Sequence, residues 1–170
     1  MSSGLPATFD PLRLADEGRR LVGSLPIKAC TRLVQAGVRP TGTVEVGLQF
    51  RRTGQGARQL ETHLATELRV TCQRCLEELR LPLKLTPTFY FVGAEAEAGS
   101  IPEESELIVV DRPLVLADFV EDELLLALPM IPMHTEAECR AHGFREVPDG
   151  DPASENPFAM LAKIKNKPRE

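Results

Sequence analysis

Thr43-Val-Glu-Val-Gly-Leu-Gln-Phe-Arg51 alternates without a break, with Val44, Val46, Leu48 and Phe50 on one side and Glu45, Gly47, Gln49 and Arg51 on the other. A period of two marks a half-buried strand. After the turn signal Arg52-Thr-Gly-Gln-Gly56 the alternation resumes, placing Leu60, Thr62, Leu64, Thr66, Leu68, Val70 and Cys72 on one side, so the two runs predict a long hairpin. Beyond Cys75 a third run sets Leu79, Leu81, Leu83, Leu85, Phe89 and Phe91 against Arg80, Lys84, Thr86, Thr88 and Tyr90. The three runs predict an antiparallel meander with one apolar face. Pro82 and Pro87 cannot donate to a ladder, which puts the third strand at an edge or breaks it.

An apolar sheet face needs a cover. Leu114 to Leu128 supplies one, with Leu116, Phe119, Val120, Leu124 and Ala127 at three- and four-residue steps and Pro129 as the stop. Its carboxylates Asp118, Glu121, Asp122 and Glu123 lie mainly in the first half, where the helix dipole favours them, and are assigned no chemistry. Leu107-Ile-Val-Val110 reads as a short strand, and Gly93 to Ser105 as a solvated loop. Upstream, Phe9 to Gly23 predicts a short strand and a turn or so of helix. Ser24-Leu25-Pro26 resembles a helix start, with Ile27, Cys30, Leu33 and Val34 at helical spacing before Gly37. Cys30 on that stripe reads as a small buried hydrophobe. Asn156-Pro157 caps a short amphipathic helix bearing Phe158, Leu161, Ala162 and Lys165. The expected architecture is α+β: an antiparallel meander or partial barrel packed against one main helix, with short N- and C-terminal helices. It forms a single domain over residues 1–170, with a core of about 9–130, an irregular tail at 131–155 and a helix at about 157–166.

The 170 residues are 42% hydrophobic and 26% charged, a globular balance. With no Trp, one Tyr and seven Phe, the chain lacks the rings of an aromatic base-stacking platform. No run of 18 apolar residues occurs, and the N-terminus lacks the order of a secretory signal, so a cytoplasmic protein without membrane contact is expected. Charge is segregated: residues 1–92 carry +5, residues 93–156 carry −13 and residues 157–170 carry +3. The acidic stretch suits a basic protein partner or simple solvation.

Four cysteines are too few for a disulfide scaffold. Cys72-Gln-Arg-Cys75 is a Cys-x-x-Cys knuckle between strands, a spacing that brings two thiolates to one zinc. Completion needs two more ligands, for which His134 with Cys139, or else His142, is available; His63 lies on the opposite face of its strand from Cys72. Cys72, Cys75, His134 and Cys139 would form one closed, structural zinc site pinning the tail onto the sheet; otherwise the knuckle is a turn with reduced thiols. Redox use is disfavoured because a strand, not a helix N-terminus, follows. Arg51, Arg52, Arg58, Arg69, Arg74, Arg80 and Lys84 cluster around the hairpin, several on its outer side, and are candidate contacts for an RNA backbone. An ordinary solvated face is the competing reading, since Glu45, Glu61 and Glu67 share it. No phosphate loop, nucleophile elbow or His-Glu-x-x-His pair occurs, so no enzyme and no small-molecule substrate are expected.

Val70-Thr-Cys-Gln-Arg-Cys75, Val120-Glu-Asp-Glu-Leu-Leu-Leu-Ala-Leu-Pro129, Pro132-Met-His134 with Cys139, and Asn156-Pro-Phe-Ala-Met-Leu161 follow one another in an order that resembles the YceD family. Its members are described as large ribosomal RNA subunit accumulation proteins of bacteria and plastids. The resemblance runs from about Phe9 to the final helix. It implies a role in accumulation of 23S ribosomal RNA and assembly of the large ribosomal subunit, with no catalytic residues to carry over. In members with a second Cys pair, the equivalents of Cys72 and Cys75 have metal-binding partners downstream; here His134 stands at one such position and Cys139 is displaced. Expected partners are 23S ribosomal RNA or its precursor and large-subunit ribosomal proteins or assembly factors. The competing class is an adaptor or chaperone that grips a ribosomal protein through residues 94–123 without touching RNA.

Overall fold

A computed structural model describes residues 4–93, 101 and 105–145. The C-terminal helix expected at about 157–166 and most of the acidic loop after Gly93 lie outside the described residues.

The predicted hairpin is the centre of the molecule. β3 (Thr43–Arg52) pairs antiparallel with β4 (Arg58–Thr71), with Val46 opposite Leu64 and Phe50 opposite Leu60. Val44, Val46, Leu48 and Phe50 are buried, as are Leu60, Leu64 and Leu68, so the alternation set the burial directly. The third run breaks at Thr86-Pro87 into β5 (Glu78–Leu85) and β6 (Thr88–Val92). Both halves pair with β4, β5 along residues 64–71 and β6 along residues 58–61. Pro82 sits in β5, which among the described residues has β4 as its only neighbour, where a missing N–H costs no ladder bond.

The sheet continues as β2-β3-β4-β6-β7, mostly antiparallel and not closed. β2 (Arg20–Pro26) runs antiparallel to β3, and β7 (Glu106–Val109) pairs parallel to β6. Ser24, Leu25 and Pro26 therefore end a strand instead of opening a helix: Leu25 faces Val44 and Pro26 faces Thr43. Pairing with β3 outweighs the local start signal, and helical geometry begins only at the 3₁₀ turn Ile27–Ala29 and in α2 (Thr31–Gln35). A Cβ at Gly23 would lie 2.7 Å from Leu5 Cγ, so a larger residue there would force the Leu5 side chain to shift. β1 (Thr8–Phe9) precedes α1 (Pro11–Asp16), whose N-terminus is capped by Asp10 accepting from the N–H groups of Leu12 and Arg13.

α3 (Leu116–Ala127) starts two residues later than its periodicity suggests, because Leu114–Val115 form β8 and pair with β1. It buries Leu116, Phe119, Val120 and Leu124. Phe119 meets Phe9 and Phe89 edge-on, with centroids 5.8 and 5.1 Å apart. Glu121 is only 2% exposed. Its carboxylate accepts the Leu33 N–H at 2.9 Å and the Arg32 Nε at 2.9 Å, while Arg32 also donates to Asp122 at 2.6 Å. α2 has no side-chain cap of its own, so a carboxylate from α3 serves as its cap and bolts the two helices together. The segment expected to be irregular holds a further six-residue helix, α4 (Glu136–Ala141).

Candidate metal centre

β4 ends at Thr71, and the chain turns back at once into β5. The Cys72 N–H donates to Glu77 O and the Leu76 N–H to Cys72 O, closing a tight knuckle around Cys72 and Cys75. Leu76 takes φ 64°, the one positive φ at a described residue other than glycine. A branched side chain there costs about 1–2 kcal/mol. The strain is met where Cys75 must face back towards Cys72.

The other half arrives after α3. The Gln73 N–H donates to Pro132 O at 2.8 Å, tying the extended segment to the knuckle. Thr135 then caps α4 in a reciprocal pair with Glu138. This fixes the register that turns Cys139 inward, where it is fully buried. The helix ends with the Phe144 N–H bonded to Cys139 O and Gly143 at φ 85°.

The ligand atoms of Cys72, Cys75, His134 and Cys139 lie within 4.8 Å of one another. Cys72 Sγ and Cys139 Sγ are 3.8 Å apart, and Cys75 Sγ lies 3.3 Å from His134 Nδ1. Tetrahedral bonds of about 2.3 Å to sulfur and 2.0 Å to nitrogen give edges of about 3.8 and 3.5 Å, so the set can hold a metal ion. All four cysteines are free thiols. Burial pushes the Cys72 thiol up, but N–H groups of the Cys75, His134 and Arg74 backbones pull it down to about 5, the last two at 3.3 and 3.4 Å from Sγ. Cys139 goes the other way, to about 11, through burial and the neighbouring sulfurs of Cys75 and Cys72. One sulfur is readily a thiolate and the next resists becoming one, which is the imbalance a bound cation removes. With four protein ligands no position is left for water, so the arrangement suits structure and not hydrolysis.

The two residues that the fold brings to Cys72 and Cys75 are thus His134 and Cys139. His142 lies against the His134 ring, with centroids 5.1 Å apart. His63 is exposed on the outer face of β4, opposite Gly47.

The candidate RNA contacts are spread differently. Arg51, Arg69, Arg80 and Lys84 lie on the outer side of β3, β4 and β5, Arg52 at the end of β3 and Arg74 inside the knuckle. Arg51 is bonded to Gln59 and paired with Glu61; Arg52 pairs with Asp16 at 3.5 Å, Arg69 with Glu78 at 3.9 Å and Arg80 with Glu67 at 3.8 Å. Arg58 also holds Asp16, at 3.0 Å, and keeps its carboxyl below the usual range. Lys84 and Arg74 make no ion pair among the described residues. The missed residues are Glu121 and its partner Arg32, 89 positions apart in sequence, for which no local signal exists.

No solved structure gives a significant match to the chain. The large ribosomal RNA subunit accumulation protein YceD of Haemophilus influenzae is 31% identical over 169 residues, spanning 96% of this chain and 97% of its own. The family model described as large ribosomal RNA subunit accumulation protein YceD matches residues 60–165, a span that takes in most of β4, the knuckle, α3, α4 and all four candidate ligands. On both counts the chain belongs to the YceD family.

Proposed function

We propose that this protein is a non-enzymatic cytoplasmic factor that supports accumulation of 23S ribosomal RNA in assembly of the large ribosomal subunit, stabilised by one structural zinc on Cys72, Cys75, His134 and Cys139. The similarity to the Haemophilus influenzae protein carries the reading, because it spans 96% of this chain and 97% of that protein. Three thiolates and an imidazole in a closed set favour zinc over harder cations. When bound, the zinc supplies a cross-link and not a reactive centre.

Direct contact with RNA through Arg51, Arg52, Arg69, Arg74, Arg80 and Lys84 is one route. The observation favouring the other, an adaptor for a basic ribosomal protein, is that Arg51, Arg52, Arg69 and Arg80 are each paired to a carboxylate of their own surface. Such pairs leave less charge to displace counterions from a phosphate backbone.

Cells depleted of the protein are expected to show a reduced ratio of 23S to 16S ribosomal RNA, restored by the intact gene; an unchanged ratio sinks the reading. Purified without an affinity tag, the protein is expected to carry one zinc per chain, lost in Cys72→Ala. Charge reversal at Arg51, Arg52 and Arg80 decides the route: a loss of salt-steep binding to 23S fragments favours RNA contact, and no change favours the adaptor.

A further inference from the structure

Among the described residues β7 has one neighbour in the sheet, β6. The Val110 N–H donates to Val92 O at 2.8 Å, and in a parallel ladder successive residues address opposite sides. The N–H and C=O groups of Leu107 and Val109 therefore point to the open edge, where no strand pairs with them among the described residues. Their side chains are 38% and 46% exposed. An edge of this kind, short, apolar and unpaired among the described residues, is a template for another strand.

Beside the edge, between β7 and the start of α3, lies a groove of about 490 Å³ lined by Ile108, Leu114 and Phe119, by the carboxylates Asp118 and Asp122 and by one cation, Arg112. Residues 105–128 hold six carboxylates against one cation, Arg112. Arg32 satisfies Glu121 and Asp122. Glu106, Asp118 and Glu123 make no ion pair among the described residues, and Glu123 is held above its ordinary range by partial burial and by the charges of Glu106 and Asp122. The carboxylates thus crowd one another beside an apolar floor.

We propose that the β7 edge and this groove form the docking site for an extended, lysine- and arginine-rich segment of a protein partner, added to the sheet as a further strand. This rests on the adaptor reading above and names its surface. Alternate residues of the added strand face α3: their aliphatic stems cross Ile108 and Phe119 while their charged heads reach Asp118, Glu106 and Glu123. The residues between them are apolar and pack on Leu107 and Val109. A phosphate backbone has no place here, because the same carboxylates repel it.

The test uses the full chain and a fluorescent nine-residue probe of alternating lysine and valine. Controls are a block-ordered peptide of the same composition, an alternating glutamate–valine peptide and a ten-nucleotide polyuridine RNA. Saturable binding of the alternating probe is expected, at least tenfold tighter than that of the block-ordered control. It should weaken at least tenfold in Asp118→Lys with Glu123→Lys and in Val109→Pro, which removes an outward N–H and no bond to β6. In the unaltered protein, the probe should slow hydrogen exchange at Leu107 and Val109, a readout that does not depend on any variant folding. Equal binding of both lysine peptides, unchanged exchange at Leu107 and Val109, or RNA protecting this edge in place of peptide overturns the proposal. These measurements on purified protein stand apart from the 23S to 16S ratio, so failure of the site and failure of the functional reading are separately visible.

Discussion

α3 and α4 are both fastened to the same sheet structure by opposite means. α3 lays Leu116, Phe119, Val120 and Leu124 into the core over twelve residues and adds the Glu121–Arg32 clamp. α4 is six residues long and buries only Cys139. A helix of that length has too little hydrogen bonding to persist alone, and a single buried sulfur does not change this. Burial holds the first helix in place, whereas the second would be held by the proposed zinc on four ligand atoms, with a capping box fixing its start. The first attachment scales with area and the second is all or none.

The sharpest way to break the comparison is to remove the proposed zinc. A chelator, or Cys139→Ser, is expected to raise hydrogen exchange at Cys139, His142 and Phe144 at least a hundredfold while β3 and β4 keep their protection, read by exchange mass spectrometry. Equal loss in both regions would mean that the centre holds the whole fold.

The clamp on α3 comes next. Glu121→Ala removes an acceptor from a site 2% exposed and leaves the Leu33 N–H and the Arg32 guanidinium short of a partner. A loss of about 3 kcal/mol in global stability is expected from denaturant unfolding, at the low end for a broken buried pair because Arg32 stays half exposed. α4 should keep the proposed zinc in this variant.

Cys30 sharpens the contrast through pH. Burial, then the charge of Glu121, raises its thiol to about 11. A folded pKa above the unfolded one means the contribution is complete below the ordinary thiol pKa near 9 and is lost as pH rises through about 11. Stability of the α3 end should fall across that window, and Cys30→Val should flatten the fall.

The smallest effect belongs to the knuckle. Leu76→Gly relieves the φ of 64° and should raise stability by about 1 kcal/mol, measured as a shift in the urea midpoint with metal bound. Destabilisation instead would show that the Leu76 side chain matters more than its backbone.

Where a local pattern decides the structure, the sequence displays it. Val44 to Phe50 and Leu60 to Val70 have their alternation in the chain and their burial in the fold. The break at Pro87 has a covalent cause, the missing N–H. Cys72 and Cys75 announce themselves by spacing, and the small number of further soft ligands leads to His134 and Cys139. Ser24 to Pro26 is illegible because pairing with Thr43 to Glu45 is a tertiary fact. Glu121 looks like any acidic residue in the first half of a helix until Arg32 arrives from 89 residues away. The αL turn at position 76 carries a leucine where the usual glycine signal would stand.

The ligands of the centre are 67 residues apart at their widest, from Cys72 to Cys139. On a translating ribosome that distance is a delay: at 5–20 residues per second, Cys139 is made about 3–13 s after Cys72. For that interval Cys72 and Cys75 emerge as half a site, bidentate and weak, while β3 and β4 are already available to pair. Capture of the proposed zinc would therefore be one of the last events in making the described fold, and a loaded centre would certify that synthesis has passed α4.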